Sequence, residues 1–123
     1  MKFRNIAGRG IFGESKVKGK LPMTGKYMAY VGSYSYTGKA KGITVYDVDV
    51  ETGKFIYRCE VEVDNSSYLK ASQNGQILYS IADEGVVAFR VLPNGSLARL
   101  NSANIRGMRG CHLSTSKADD YIF

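Results

Sequence analysis

The strongest constraint on this chain is a pattern that it states twice between Gly42 and Phe123. Gly42-Ile43-Thr44-Val45-Tyr46 is followed, 43 residues on, by Gly85-Val86-Val87-Ala88-Phe89. Each copy continues through a glycine turn (Gly53, Gly95), a second run from Phe55 or Leu97, and a third run, Ser67-Tyr68-Leu69 or Cys111-His112-Leu113. Each closes with a serine (Ser72, Ser116), a polar turn and an aliphatic-aromatic run, Ile77-Leu78-Tyr79 or Tyr121-Ile122-Phe123. A repeat of about 40–45 residues with four short strands per unit is the signature of a β-propeller blade.

The 123 residues fall short of a closed ring. Four blades are the usual minimum and need roughly 160 residues or more. The expectation is therefore an all-β chain of antiparallel four-stranded blades, an incomplete β-propeller of about two blades. Apolar residues make up 44% of the chain and charged residues 23%, which excludes a disordered polymer. No apolar run approaches the length of a membrane-spanning helix, and no short apolar core marks a secretory signal near Met1. Cys59 and Cys111 lie in strand-like runs and form no framework, so they read as free, buried thiols of a cytoplasmic protein.

The net charge of +6 resides in the first 26 residues, which hold seven basic side chains against Glu14. Residues 27–123 carry ten basic and ten acidic side chains and are neutral. No nucleic-acid or membrane partner follows from such a body. Residues 1–26 read as a basic flexible leader, rich in Gly and Lys and without periodicity. Gly8-Arg9-Gly10-Ile11-Phe12-Gly13 fits G-x-G-x-x-G, but it lacks the strand, helix and later acidic residue that a dinucleotide site needs. No cofactor is expected. Met23, just ahead of the first strand, is as natural a start as Met1.

Residues 27–123 read as strands joined by turns and loops, with no helical periodicity. With strands labelled a to d from the axis outwards, the order is b-c-d, a-b-c-d, a-b. Tyr27 to Tyr34 is rich in β-formers. Phe55 to Val63 alternates, placing Phe55, Tyr57, Cys59, Val61 and Val63 on one face of an outer strand. Asn74-Gly75 signals a hairpin with a type I′ turn. Ile77 to Ala82 and Val86 to Leu92 are apolar on both faces and belong between blades, where an open end would leave them partly bare. Cys111 to Ser116 and Tyr121 to Phe123 are the last two strands. Unpaired edges at the first and last strands lead to the expectation of self-association or aggregation.

Tyr30-Val31-Gly32-Ser33-Tyr34, Gly42-Ile43-Thr44-Val45-Tyr46-Asp47, Asn65-Ser66-Ser67-Tyr68-Leu69 and Gly110-Cys111-His112-Leu113-Ser114, in this order and spacing, closely resemble the start of the seven-bladed propeller lactonases. That family includes the propeller type of 6-phosphogluconolactonase and fungal muconate-lactonising enzymes. The resemblance covers Tyr27 to Phe123. Ser66 departs from it, standing where the family often has Pro, and so does Lys70, where a small or apolar residue is common. The resemblance implies hydrolysis of a sugar lactone, in the pentose phosphate pathway when the substrate is phosphorylated. It implies a site at the top of the central channel, assembled from several blades, most of them beyond Phe123. The chain is accordingly expected to be an N-terminal fragment, inactive alone.

Such chemistry needs a base for water, donors for the developing oxyanion and a cation for phosphate. His112, the only histidine, starts an inner strand beside the channel and is the candidate base. The alternative is a structural histidine bonded to a neighbouring loop. Arg109, three residues earlier, is the candidate phosphate or carboxylate fork, with a solvated loop arginine as the alternative. Arg106 is a weaker version of the same case. Tyr68 takes the place of His112 in the preceding copy, and either lines the channel or packs there. Asp83-Glu84 reads as exposed surface. No G-x-S-x-G motif and no cluster of metal ligands is present in the sequence. A non-catalytic repeat that binds proteins through its top face is the alternative function.

Overall fold

The computed structural model describes residues 26–123. The expected leader lies outside the described residues, apart from Lys26, which opens the first strand. Seven strands follow: β1 Lys26–Gly32, β2 Gly42–Asp49, β3 Lys54–Glu62, β4 Leu69–Ala71, β5 Ile77–Ala82, β6 Gly85–Val91 and β7 Leu97–Asn104. They form a three-stranded sheet in the order β1-β2-β3 and a four-stranded sheet in the order β4-β5-β6-β7. Every neighbouring pair is antiparallel. No helix occurs among the described residues.

The last two runs pair only briefly. Thr115 and Ile122 form a single antiparallel bridge, and Ser114 and Phe123 exchange two backbone bonds of 3.0 and 2.9 Å. Full strands over Cys111–Ser116 and Tyr121–Phe123 are not formed. A ladder this short gains little on its own.

Three hairpin turns carry a left-handed glycine: Gly53, Gly75 and Gly95, with φ of 67°, 68° and 81°. The turn at Asn74-Gly75 is not the expected type I′, which needs positive φ at both residues. Only Gly75 has it. Gly75 N–H donates to Ser72 O at 3.0 Å across a Gln73-Asn74 turn, and Ser72 N–H donates to Ile77 O at 2.8 Å. Asn74 acts through its side chain instead: its Oδ1 accepts from Ser72 Oγ at 2.8 Å and from Gln76 N–H at 3.0 Å. In the second copy Asp119, φ 55°, takes the place of Gly75, with Ser116 N–H donating to Tyr121 O at 3.1 Å. A short polar side chain tolerates that conformation better than most.

The alternation predicted along Phe55–Val63 breaks at Arg58. Val45 pairs with Cys59 and Tyr46 with Tyr57, so Arg58 is left without an opposite residue. This β-bulge reverses the facing of everything before it. Val61 and Cys59 lie with Ile43 and Val45, whereas Phe55 and Tyr57 lie with Tyr46, their rings edge-on to it at 5.9 and 6.4 Å. The outer strand of the second sheet repeats the device, with Leu100 unpaired between Asn101 and Arg99.

Two apolar clusters lie on either side of the second sheet. One joins Ile43 and Val63 of the first sheet to Leu78, Val87 and Phe89. The other joins Tyr79, Ile81, Val86 and Ala88 to Leu113 and Ile122 of the C-terminal segment. Phe89 is 1% exposed and Ile43 0%, and burial of such side chains stabilises by roughly 1.5–3 kcal/mol each. The expectation that β5 and β6 are partly bare is therefore wrong: sheet one covers one face and Leu113 and Ile122 cover the other. Exposed apolar surface lies instead on Tyr27, Val31, Phe55 and Tyr57 of the first sheet.

The repeat glycines have a steric reason. A Cβ on Gly42 would collide with the backbone of Val63, and one on Gly85 with the carbonyl of Ala103. In both copies the start of an inner-middle strand passes against the end of its outer neighbour, and the blade closes only without a side chain there. Gly42→Ala and Gly85→Ala are each expected to destabilise by about 2–4 kcal/mol, against less than about 1 kcal/mol for Gly107→Ala, where the space is open and the backbone is not left-handed. Urea titration followed by circular dichroism measures the difference.

The sheets are also tied by Tyr30, whose hydroxyl donates to Gly95 O at 2.8 Å. Burial raises the Tyr30 phenol above its ordinary value, partly offset by Arg58, and burial with the Asp119 charge raises Tyr79. A phenol whose folded pKa exceeds its unfolded one stabilises fully below the unfolded pKa, near 10, and loses that contribution as pH rises through the folded value. Thermal stability is therefore expected to fall above about pH 10. Tyr30→Phe should lower stability by about 0.5–1.5 kcal/mol at pH 7 and make the alkaline decline shallower. Melting curves from pH 7 to 11 on both chains test this.

Candidate functional site

Loops 33–41, 63–68, 83–84 and 105–112 meet at one end of the two sheets. Asn65 holds them together. It is buried and left-handed, with φ of 51°. Its Oδ1 accepts from the backbone N–H of Ser35 at 2.9 Å and of Tyr36 at 3.1 Å. Its own N–H donates to Ser35 Oγ at 3.0 Å, and its Nδ2 donates to Asp83 Oδ1 at 2.8 Å. Asp83 in turn accepts Arg109 N–H at its carbonyl, 2.8 Å, and lies 3.9 Å from Arg109 Nε through its carboxylate. One amide side chain thus links three loops from both sheets. Asp83 is not idle exposed surface, as the adjacent acid pair suggested, but the middle of this chain.

Beneath it, Ser66 and Ser80 are fully buried and share a bond of 2.7 Å between their Oγ atoms. Ser80 Oγ donates its hydrogen to Ile81 O at 2.8 Å, so Ser66 is the donor to Ser80. The pair satisfies two hydroxyls that burial would otherwise penalise, and it fixes the 63–68 loop on β5.

Tyr68 and His112, candidates at equivalent places in the two copies, come together. Their ring centres are 4.8 Å apart and tilted by 55°. Tyr68 also packs on the cluster of Tyr79, Ile81 and Leu113, so its ring has a fixed side and a side turned to the imidazole. Packing on this cluster is what places Tyr68 against His112. His112 is exposed on this end. Arg109 takes the left-handed conformation, φ 54°, at the position Asn65 occupies in the preceding copy. Its side chain is 71% exposed, and the 3.9 Å approach to Asp83 exceeds hydrogen-bond distance. Arg106 is set apart in the same loop, its N–H bonded to Asn104 Oδ1 at 2.6 Å.

A crevice of about 450 Å³ opens beside these residues, lined by Tyr34, Tyr36, Asn65, Ser67, Arg109 and Cys111. Tyr34 and Tyr36 meet edge to face, with centres 5.9 Å apart. Cys111 is an exposed free thiol, not the buried one expected, because the run around it is a loop; Cys59 is half-buried on β3. A second crevice, of about 320 Å³, is lined by Asp64, Asp83, Glu84 and Arg99. Among the described residues no three metal-ligating side chains gather, and no helix is long and apolar enough to cross a membrane.

The sequence reading missed Asn65, Asp83, Tyr34 and Tyr36. A usable signal existed for Asn65: it stands at the repeat position of Arg109, in a residue type that favours left-handed backbone. The tyrosines carry no such mark, since they fall in a loop that has no counterpart in the second copy.

Residues 28–123 match the sequence profile of the family described as lactonase, 7-bladed beta-propeller. The chain belongs to this family. It is 30% identical over 101 residues to the 6-phosphogluconolactonase of Formosa agariphila, covering 76% of this chain and 29% of that protein. A crystal structure from Bacteroides fragilis, provisionally named a 6-phosphogluconolactonase, superposes with a TM-score of 0.70 at 30% identity over 80% of this chain and 29% of its own. One from Bacteroides uniformis, similarly named, gives 0.67 at 24% identity over 73% and 28%, a likeness of fold. The chain thus spans under a third of the length of these lactonase relatives, and none of them is named a binding scaffold.

Asn65→Ala is expected to cost about 1–3 kcal/mol and to speed amide exchange at Ser35, Tyr36 and Arg109, while leaving exchange in β5 above β7 in protection. Exchange measured by NMR on the wild type and the variant checks this.

Proposed function

We propose that this chain contributes two neighbouring blades to a sugar-lactone hydrolase resembling 6-phosphogluconolactonase. Membership of the lactonase family, together with the Tyr68–His112 pair and an exposed Arg109 at the same end of the sheets, supports the reading. His112 is the general base: its imidazole takes a proton from water as the water oxygen attacks the lactone carbonyl. The tetrahedral intermediate then expels the ring oxygen, which takes that proton back from the imidazolium as a free hydroxyl, and the new carboxylic acid loses its proton to solvent. Tyr68 positions the imidazole, one side of its ring held by the apolar cluster. Arg109, forked and largely exposed, binds the substrate phosphate. The groups that stabilise the oxyanion come from blades outside this chain, so the chain has no turnover by itself.

The test is kinetic. In a ring-closed protein carrying residues 27–123, His112→Ala should lower kcat/KM for a phosphorylated δ-lactone by about 10²–10⁴-fold. The 123-residue chain alone should show no hydrolysis above the spontaneous rate. An unchanged kcat/KM in the variant removes His112 from the chemistry. Hydrolysis by the isolated chain overturns the shared site.

A further inference from the structure

Among the described residues no strand pairs with the far edge of β1, which the three-stranded sheet leaves open. From Tyr27 to Gly32 that edge carries no charge, no Pro and no bulge, the devices that ordinarily close an edge to other chains. Its free groups can be named. Ser33 N–H donates to Gly42 O, and amides alternate along a strand, so those of Ala29 and Val31 turn to β2 and those of Met28, Tyr30 and Gly32 turn outward. The other copy of the repeat shows what fits there. Tyr79 opposite Ala88 corresponds to Tyr30 opposite Val45, so β5 is the counterpart of β1. The edge of β5 is taken by β4, with Lys70 opposite Tyr79 and Leu69 opposite Ser80. The counterpart of β4 is Cys111–Ser116, where Leu113 matches Leu69 and Ser114 matches Lys70. In this chain that run holds only Tyr121–Phe123, through one bridge. The faces correspond as well. Phe89 and Leu97 pack against the first sheet, whereas their counterparts Tyr46 and Phe55 look outward, Phe55 with 59% exposure.

We infer that copies of this chain associate head to tail: the Cys111–Ser116 run of one copy adds to the free edge of β1 in the next, with Ser114 opposite Tyr30 and Thr115 opposite Ala29. In the first copy β1 of the second takes the place of Tyr121–Phe123. The exchange is favourable because β1 is seven residues long and the run it displaces holds a single bridge. Leu113 keeps its place on Tyr79 and Ile81 and gains Val31 of the second copy as a cross-strand neighbour. The same step lays the exposed face of the first sheet, with Val31, Tyr46 and Phe55, against the second sheet of the other copy. Within one chain Ile43 lies against Phe89 in the equivalent way. The two surfaces differ, so the contact repeats from copy to copy, closing into a ring where the rotation allows and otherwise running on. The inference rests on the repeat and its strand register, not on the hydrolase reading.

The experiment sediments the 123-residue chain from micromolar to millimolar concentration and follows amide exchange over the same range. Association should be reversible, and the amides of Met28, Tyr30 and Gly32 should gain protection with it, while those of Ala29 and Val31 are protected throughout. Val31→Lys, at a side chain 45% exposed in the single copy, should weaken association by about 10-fold or more and leave the circular dichroism spectrum unchanged. The register is read by cross-linking, in a background with Cys59 and Cys111 both changed to Ser. One chain carries Ala29→Cys and another Thr115→Cys; these positions form the closely spaced kind of antiparallel pair, which suits a disulfide. Mixing and oxidation should give the mixed disulfide, and Met28→Cys with Thr115→Cys, one residue out of register, should not. A chain that stays single at every concentration overturns the inference. So does protection of Met28, Tyr30 and Gly32 that is independent of concentration, since it assigns the edge to an occupant from the same chain. Association that survives Val31→Lys and gives no mixed disulfide uses another surface and overturns it too.

Discussion

The structure depends on one packing arrangement: the middle strands of the second sheet, β5 and β6, are buried on both faces. Leu78, Val87 and Phe89 turn to the first sheet, and Tyr79, Ile81, Val86 and Ala88 turn to the C-terminal segment. Strands of this kind have no solvent face, so β5 and β6 are apolar on both sides over most of their length and cannot stand alone in water. The short closing segment is therefore structural even though it pairs through one bridge. Leu113 and Ile122 cover a face that would otherwise expose a tyrosine, an isoleucine and a valine. The first sheet has this cover on one side only, which is why its aromatic residues on the other side, Phe55 and Tyr57, meet solvent.

Close packing of two sheets brings their loops together at one end, and there polar groups must be satisfied. Asn65 does this for three loops at once, and the Ser66–Ser80 pair does it beneath. Because these residues take up the buried donors and acceptors, Arg109, His112 and the tyrosines remain turned to solvent. This end thus divides into a satisfied support and a surface of polar side chains turned to solvent. At the opposite end, the turns at Gly75 and Gly95 satisfy themselves locally through Asn74 and Asn94.

The repeat shows how one skeleton carries different chemistry. Asn65 and Arg109 share a left-handed backbone, yet one amide ties loops and one guanidinium faces outward. Tyr68 and His112 occupy equivalent starts of inner runs and meet with their rings tilted by 55°. Gly75 and Asp119 make equivalent turns with different tolerance for strain. Backbone geometry is preserved because sheet packing demands it, and side chains diverge where packing does not reach.

Much of this was legible in the residues. The repeat and its period-2 runs determined an all-β chain, antiparallel neighbours, hairpins at Gly53, Gly75 and Gly95, and the apolar strands that lie between sheets. These properties are local or follow from burial, and local sequence records them. His112, Arg109 and Tyr68 were chosen as candidates from residue type and repeat position. Other features belong to tertiary structure. The bulge at Arg58 reverses a strictly alternating strand, and alternation alone cannot show where a ladder skips a residue. The tie through Asn65 and Asp83 spans 18 residues, and its link to Ser35 spans 30. The crevice between Tyr34, Tyr36 and Arg109 exists only because two sheets pack at a fixed distance. Residue types name the chemistry available to a chain; which groups meet is decided by the packing of its sheets.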